Sequence, residues 1–246
     1  MRDIRSLTLI VALILPVSLS PALVQAEEPD PRELITGMAE TIAELDTFQI
    51  DSDAYEDAGL PAGQIIEHSM QVTVRIRRPG TMRLSMRTTE ESKEIYFTEG
   101  VLTLFNRNKG FYGQDEIPPV IDAAIDYAIN EFGIDAPLMD FLSADAGNAL
   151  LTDAEQVDYF GTELVRNQAH HHIGIRHQEV DVQVWISAEG AMLPGKISIS
   201  NKWVGGSPRF VAFLTWDTNP DIPTGVLRFE PPEGATRIKI LRDPVE

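Results

Sequence analysis

Between Gln168 and Trp216 the chain is suited to little except consecutive antiparallel strands. Four segments favour extended backbone: Gln168–His177, Asp181–Ser187, Gly195–Lys202 and Arg209–Trp216. Turn-formers separate them at Ala188-Glu189-Gly190, Leu193-Pro194-Gly195 and Gly205-Gly206-Ser207-Pro208. Connections this short join neighbours, so an up-and-down meander is expected.

The same grammar appears upstream. Ile66, Met70, Val72, Val74 and Ile76 fall on one face of an extended segment, with His68 as the polar exception, while Glu67, Ser69, Gln71, Thr73 and Arg75 take the other. Met82, Leu84 and Met86 alternate with Arg83, Ser85 and Arg87 in the next strand, after a turn at Pro79-Gly80. Both apolar sets reach one side only if Ile76 pairs with Met82, Val74 with Leu84 and Val72 with Met86. Arg75 then faces Arg83, a like-charge pair that needs a carboxylate or an anion nearby. Further strands are expected at Phe48–Tyr55, Lys93–Thr98, Val101–Asn106 and around Phe111-Tyr112, with Val226–Glu230 and Thr236–Leu241 last.

Helices interrupt this pattern twice. Asp30-Pro31-Arg32-Glu33 has the residues of an N-terminal cap, and Leu34, Ile35, Met38, Ile42 and Leu45 then form one apolar stripe. Pro118–Phe132 carries a wider stripe through Val120, Ile121, Ala124, Ile125, Ala128 and Phe132, ended by Gly133, and short helical turns follow at Pro137–Leu142 and Asn148–Leu151. A block this apolar fits a lid over a hydrophobic cavity and fits equally a helix capping a closed core.

The first residues read as an export signal. Arg2 and Arg5 precede an apolar run from Leu7 to Leu15, which Pro16 interrupts, and Val24-Gln25-Ala26 supplies small residues for cleavage after Ala26. That leaves residues 27–246 as one domain. Pro16, Ser18, Ser20 and Pro21 make the run a poor membrane anchor. The whole chain carries a formal charge of −18, and loss of Arg2, Arg5 and Asp3 leaves −19. A surface this acidic argues against nucleic acid and against broad docking on anionic lipid. The absence of cysteine excludes disulfides, thiolate metal sites, thiol nucleophiles and a lipidated cysteine. A product free in the periplasm or outside the cell is expected, without stable membrane insertion.

Little chemistry is written in the residues. In a strand, His170 and His172 share one face and His171 takes the other, so the run offers at most two metal ligands on a side. The Asp51-Ser52-Asp53 opening lacks the oxygen ligand and glycine of a calcium loop, since Tyr55 and Glu56 stand there. There is no nucleophile elbow, His-Glu-x-x-His helix, phosphate loop or dinucleotide fingerprint. A non-enzymatic protein with no cofactor is expected. Methionines and aromatics suggest what it would hold instead. Met70, Met82 and Met86, with Trp185, Phe210 and Trp216, would make a deformable apolar wall, though the same residues would serve as ordinary core. Together with Val72, Val74, Leu84, Ile121 and Ile125 they define the candidate lining.

The run His172-Ile173-Gly174-Ile175-Arg176, then Asp181-Val182-Gln183-Val184-Trp185-Ile186, then Leu193-Pro194-Gly195-Lys196, resembles a bacterial family of predicted periplasmic proteins. That family is similar in turn to the outer-membrane lipoprotein carrier superfamily. The closing Phe229-Glu230-Pro231-Pro232-Glu233-Gly234 resembles the end of those carriers, although Gly195 stands where they often place a basic residue before the lysine. The resemblance implies an α+β fold: a strongly curved antiparallel sheet, an incomplete β-barrel, with helices over its concave face. It also implies a periplasmic binding or carrier protein that holds a lipid or acyl chain. Two alternatives share that shape: an envelope sensor or protein-interaction module, and a metal-dependent enzyme at His170 and His172.

Overall fold

The structure, a computed structural model, describes residues 28–59, 63–134, 138–139, 141–143, 145–202 and 208–242. The expected leader, Pro137 and the Gly205-Gly206-Ser207 turn lie outside them. Among the described residues twelve strands form one sheet: β1 (Thr47–Gly59), β2 (Ile65–Arg77), β3 (Thr81–Arg87), β4 (Ser92–Thr98), β5 (Val101–Asn106), β6 (Phe111–Glu116), β7 (Gln156–Val165), β8 (Gln168–Arg176), β9 (Val180–Ser187), β10 (Pro194–Asn201), β11 (Arg209–Asp217) and β12 (Thr236–Ile238). Their spatial order is β12-β6-β5-β4-β3-β2-β1-β11-β10-β9-β8-β7, so β12 and β7 are the two edges. All neighbours are antiparallel except β12 and β6.

The β2–β3 register is the one that alternation demands, with Ile76 opposite Met82, Val74 opposite Leu84, Val72 opposite Met86 and Arg75 opposite Arg83. Arg78, Pro79 and Gly80 make the loop. Gly80 is required there, because a Cβ would sit 2.4 Å from the backbone oxygen of Pro119.

Among the described residues there are three α-helices: α1 (Pro31–Ala43), α2 (Ile121–Phe132) and α3 (Ala146–Leu151). The Asp30 side chain caps α1 by accepting from the Arg32 amide at 2.8 Å. Gly133, at φ 58°, ends α2 in the left-handed conformation. Leu34, Ile35, Met38 and Ile42 of α1 and Ile121, Ala124, Ile125 and Ala128 of α2 share one buried cluster with the even-numbered side chains of β1, β2 and β3. The helices therefore cover a single face of the sheet.

Two expectations need correction. Gln156–Val165 is a strand that the alternation did not reveal, because Gly161, at φ 95°, shifts the register between Tyr159 and Thr162 and breaks the period. Val226–Glu230 is not a strand. Thr224–Leu227 is a 3-10 turn, held where the Thr98 hydroxyl donates to Leu227 O at 2.8 Å and Arg83 donates to Val226 O at 3.2 Å. Phe229 then sits among Tyr96, Phe105 and Tyr112, with ring centroids 5.5, 5.3 and 5.1 Å away, on the face opposite the helices.

Candidate functional site

Six of the ten candidate lining residues lie together in the structure. Val72, Val74, Met82, Leu84, Ile121 and Ile125 are each at most 5% exposed and belong to one cluster between sheet and helices. Met70, Met86 and Trp216 are half-buried at its periphery. Trp216 is fixed by donating from Nε1 to Pro194 O at 2.8 Å and by its ring 5.6 Å from Phe48. Burial falls off along β2 away from Pro79: Val72 is buried, Met70 half-buried and His68 exposed. Met70 and Met86 thus mark a rim where the apolar face runs out from under its cover.

Trp185 does not join them. Val182, Val184 and Ile186 face the helices, so the residue between the last two points to the other side. There its ring stacks on His172 at 4.2 Å and 10°, and its Nε1 donates to Glu163 at 2.8 Å. The ammonium of Lys196 lies 3.9 Å from its ring centroid. Burial pushes the Lys196 pKa down, against the pull of Glu163. The Trp185 indole holds the Glu163 pKa low, aided by His172 and Lys196 and opposed by burial. His172, Trp185 and Lys196, three of the residues that carry the sequence resemblance, meet in this side-chain ladder on the helix-free face.

His170 shares that face and is buried beside Gly195, where a Cβ would lie 2.2 Å from its Nε2. The ring takes the space a side chain at 195 would need, which accounts for glycine there in place of a basic residue. Gly195→Ala should lower stability by about 1–3 kcal/mol in urea unfolding. Adding His170→Ala to Gly195→Ala should remove the clash, so the double variant should unfold no earlier than His170→Ala alone. His172 bonds Glu163 and Gln183, each at 3.1 Å, and His171 bonds Tyr159 at 2.9 Å on the opposite face. Among the described residues no group of three His, Asp or Glu side chains is placed to hold a metal ion.

The connection from β6 to β7 positions the helical cover. Those strands lie near opposite ends of the sheet, so residues 117–155 must carry α2 and α3 from one side to the other. This strap is tied near its start. The Ile121 amide donates to Pro79 O at 2.8 Å, and Arg78 lies 3.4 Å from Asp122 while donating to Leu142 O at 2.8 Å. Near its end, α3 meets α1 so closely that a Cβ on Gly147 would lie 2.8 Å from Ala39 Cβ.

Sequence reasoning missed Glu94. It is 4% exposed on the helix-free face, takes the Tyr96 hydroxyl, and pairs with Arg107 at 2.6 Å and Arg83 at 3.2 Å. Only its alternation with Ile95 and Phe97 pointed to that face.

A family model described as "Predicted periplasmic protein (DUF2092)" matches residues 32–241. No curated protein matches the chain. Among solved structures, an uncharacterized conserved protein from Thermus thermophilus is similar at 8% identity and a TM-score of 0.51, over 85% of this chain and 98% of that one. LprF from Mycobacterium bovis is similar at 12% identity and 0.50, over 80% and 97%. A LolA superfamily protein from Nitrosomonas europaea aligns at 10% identity and 0.40, over 82% and 99%. The first two likenesses concern the fold. Among the described residues no helix is long and apolar enough to cross a membrane.

Proposed function

Because this chain belongs to the family of predicted periplasmic proteins designated DUF2092, we propose that it is a periplasmic, non-enzymatic binding or carrier protein for a lipid or acyl chain. The ligand would lie between the apolar face of the sheet and the helices. The observation that supports this reading is the strap between β6 and β7, which lays α2 across a continuous apolar face and is joined to the β2–β3 loop where the Ile121 amide meets Pro79 O. Val72, Val74, Met82, Leu84, Ile121 and Ile125 pack closed against one another, so entry requires α2 to lift and the ligand to replace its contacts. Each buried methylene of an acyl chain contributes about 0.8 kcal/mol, enough for a long chain to offset that opening. Met70 and Met86 stand at the rim, where unbranched, polarizable side chains adapt to a passing chain. The curvature that the resemblance implies would wrap the sheet around it.

Delipidated protein should take up a fluorescent fatty-acyl probe with one-to-one stoichiometry. Met70→Asp combined with Met86→Asp should weaken uptake at least tenfold, with the unfolding midpoint little changed because both side chains are half-buried. No uptake by the wild type would end the proposal. The reading as a protein-interaction module draws on another observation: the edge strand β7 exposes Phe160 and Leu164. An envelope protein purifying with the chain in fixed ratio, without lipid, would favour it.

A further inference from the structure

On the helix-free face a cleft of about 600 Å³ opens over β2, β3, β4 and β5, and four arginines line it: Arg75, Arg83, Arg87 and Arg107. The chain has only 20 basic residues against 38 acidic ones, so four guanidinium groups in one cleft is a strong local reversal of charge. The two carboxylates in its wall do not cancel them. Glu94 is taken by Arg83 and Arg107, and Glu91 lies 2.7 Å from Lys93 and 3.9 Å from Lys109. Arg75 and Arg87 are left over. Among the described residues neither has a carboxylate within 4.0 Å; Arg75 donates to Gln49 Oε1 and Arg87 to Gln71 Oε1, both at 2.7 Å and both neutral. Arg75 also stands directly opposite Arg83 in the ladder, a like-charge pair in which Glu94 serves Arg83 while Arg75 holds only a neutral amide among the described residues.

We propose that this cleft binds a small phosphorylated polyol, such as a sugar phosphate, with the phosphoryl group between Arg75 and Arg87. Guanidinium forks match phosphoryl oxygens in geometry and charge. The cleft is too large for phosphate alone, and the rest of its wall is polar: Thr73, Ser85, Ser92 and Asn108 offer hydroxyls and an amide. Among the described residues no aromatic or aliphatic side chain lines it, which suits sugar hydroxyls and not a nucleobase or an acyl chain. A phospholipid headgroup offers the same phosphoryl chemistry, but a protein at −18 is repelled from an anionic bilayer, whereas a solute can enter the cleft alone. This site is separate from the acyl site proposed above and lies on the other side of the sheet.

Calorimetric titration of the exported chain with glucose 6-phosphate, inorganic phosphate and glucose tests the proposal, with flotation on phosphatidylglycerol vesicles as a parallel arm. Glucose 6-phosphate should bind at one saturable site, phosphate more weakly and in competition with it, and glucose and the vesicles not at all. Raising sodium chloride from 50 to 500 mM should weaken binding several-fold through screening. Arg75→Gln with Arg87→Gln should weaken glucose 6-phosphate at least tenfold while fatty-acyl uptake stays unchanged, since those side chains hold only glutamines. Should the double variant unfold early, Arg87→Gln alone, at an exposed position, should still cost severalfold. Absence of saturable binding by both glucose 6-phosphate and phosphate, or unaltered affinity in the arginine variants, overturns the site. Vesicle binding that Arg75→Gln with Arg87→Gln abolishes overturns the soluble ligand in favour of a headgroup.

Discussion

Replacing Glu94 by alanine is expected to cost about 3 kcal/mol of stability, because it strands guanidinium groups that the carboxylate now neutralises in a mostly buried setting. The loss lies near the lower end of the range for broken buried pairs because Arg107 is 54% exposed and its share is screened. Arg83 is 19% exposed and has no such relief. The Tyr96 hydroxyl loses its acceptor as well. Glu94→Gln should fall between wild type and Glu94→Ala, since an amide oxygen still accepts from Tyr96 but carries no charge.

The same group gives a pH signature. Burial raises the Glu94 pKa, but the Tyr96 hydroxyl, Arg107 and Arg83 together outweigh it and hold the carboxyl below the usual glutamate range. A depressed native pKa means that the unfolded chain binds the proton first on acidification. The stability Glu94 contributes is therefore complete above the ordinary glutamate value and is lost as pH falls through the lower native one. Urea midpoints of wild type and Glu94→Gln between pH 3 and pH 7 should differ by a constant amount above about pH 5 and converge below it. A difference that grows on acidification would mean the carboxyl is protonated in the native state.

Met82→Ala should cost about 2–5 kcal/mol, the range for large-to-small changes at fully buried sites. Met82 is completely buried, with Ile76 and Phe97 as its cross-strand neighbours, and it belongs to the cluster that includes Ile121 and Ile125 of α2. Removing it weakens the packing that an acyl chain would have to displace. The variant should unfold at lower urea concentration yet take up a fatty-acyl probe faster than the wild type in stopped-flow mixing. Slower uptake at equal concentrations of folded protein would contradict an entry route beneath α2.

How far the sequence foretold these features depended on whether local period and burial coincide. β2 and β3 were legible down to register because every even position is apolar except His68 and the loop length fixes which residues pair. β7 was not, because the Phe160-Gly161 bulge places Phe160 on the helix-free face and interrupts alternation. Trp185 groups with the other aromatics by residue type but lies on the opposite face, as its place between Val184 and Ile186 implies. Glu94 and the surplus Arg75 and Arg87 were hidden for another reason. In a chain with 38 acidic residues no carboxylate stands out by type, and only the pairing of four strands shows which arginines it reaches.

The order of the strands also governs how the molecule assembles. Among the described residues every antiparallel pair joins consecutive strands except one, the seam where Gln49–Glu56 of β1 meets Phe210–Asp217 of β11. Two meanders can thus form from local hairpins, while the seam must draw together distant parts of the chain against loop-closure entropy. Until it shuts, β1 and β11 each present bare backbone amides and carbonyls to any other extended chain. The interval before that closure is when a newly made molecule is most exposed to self-association.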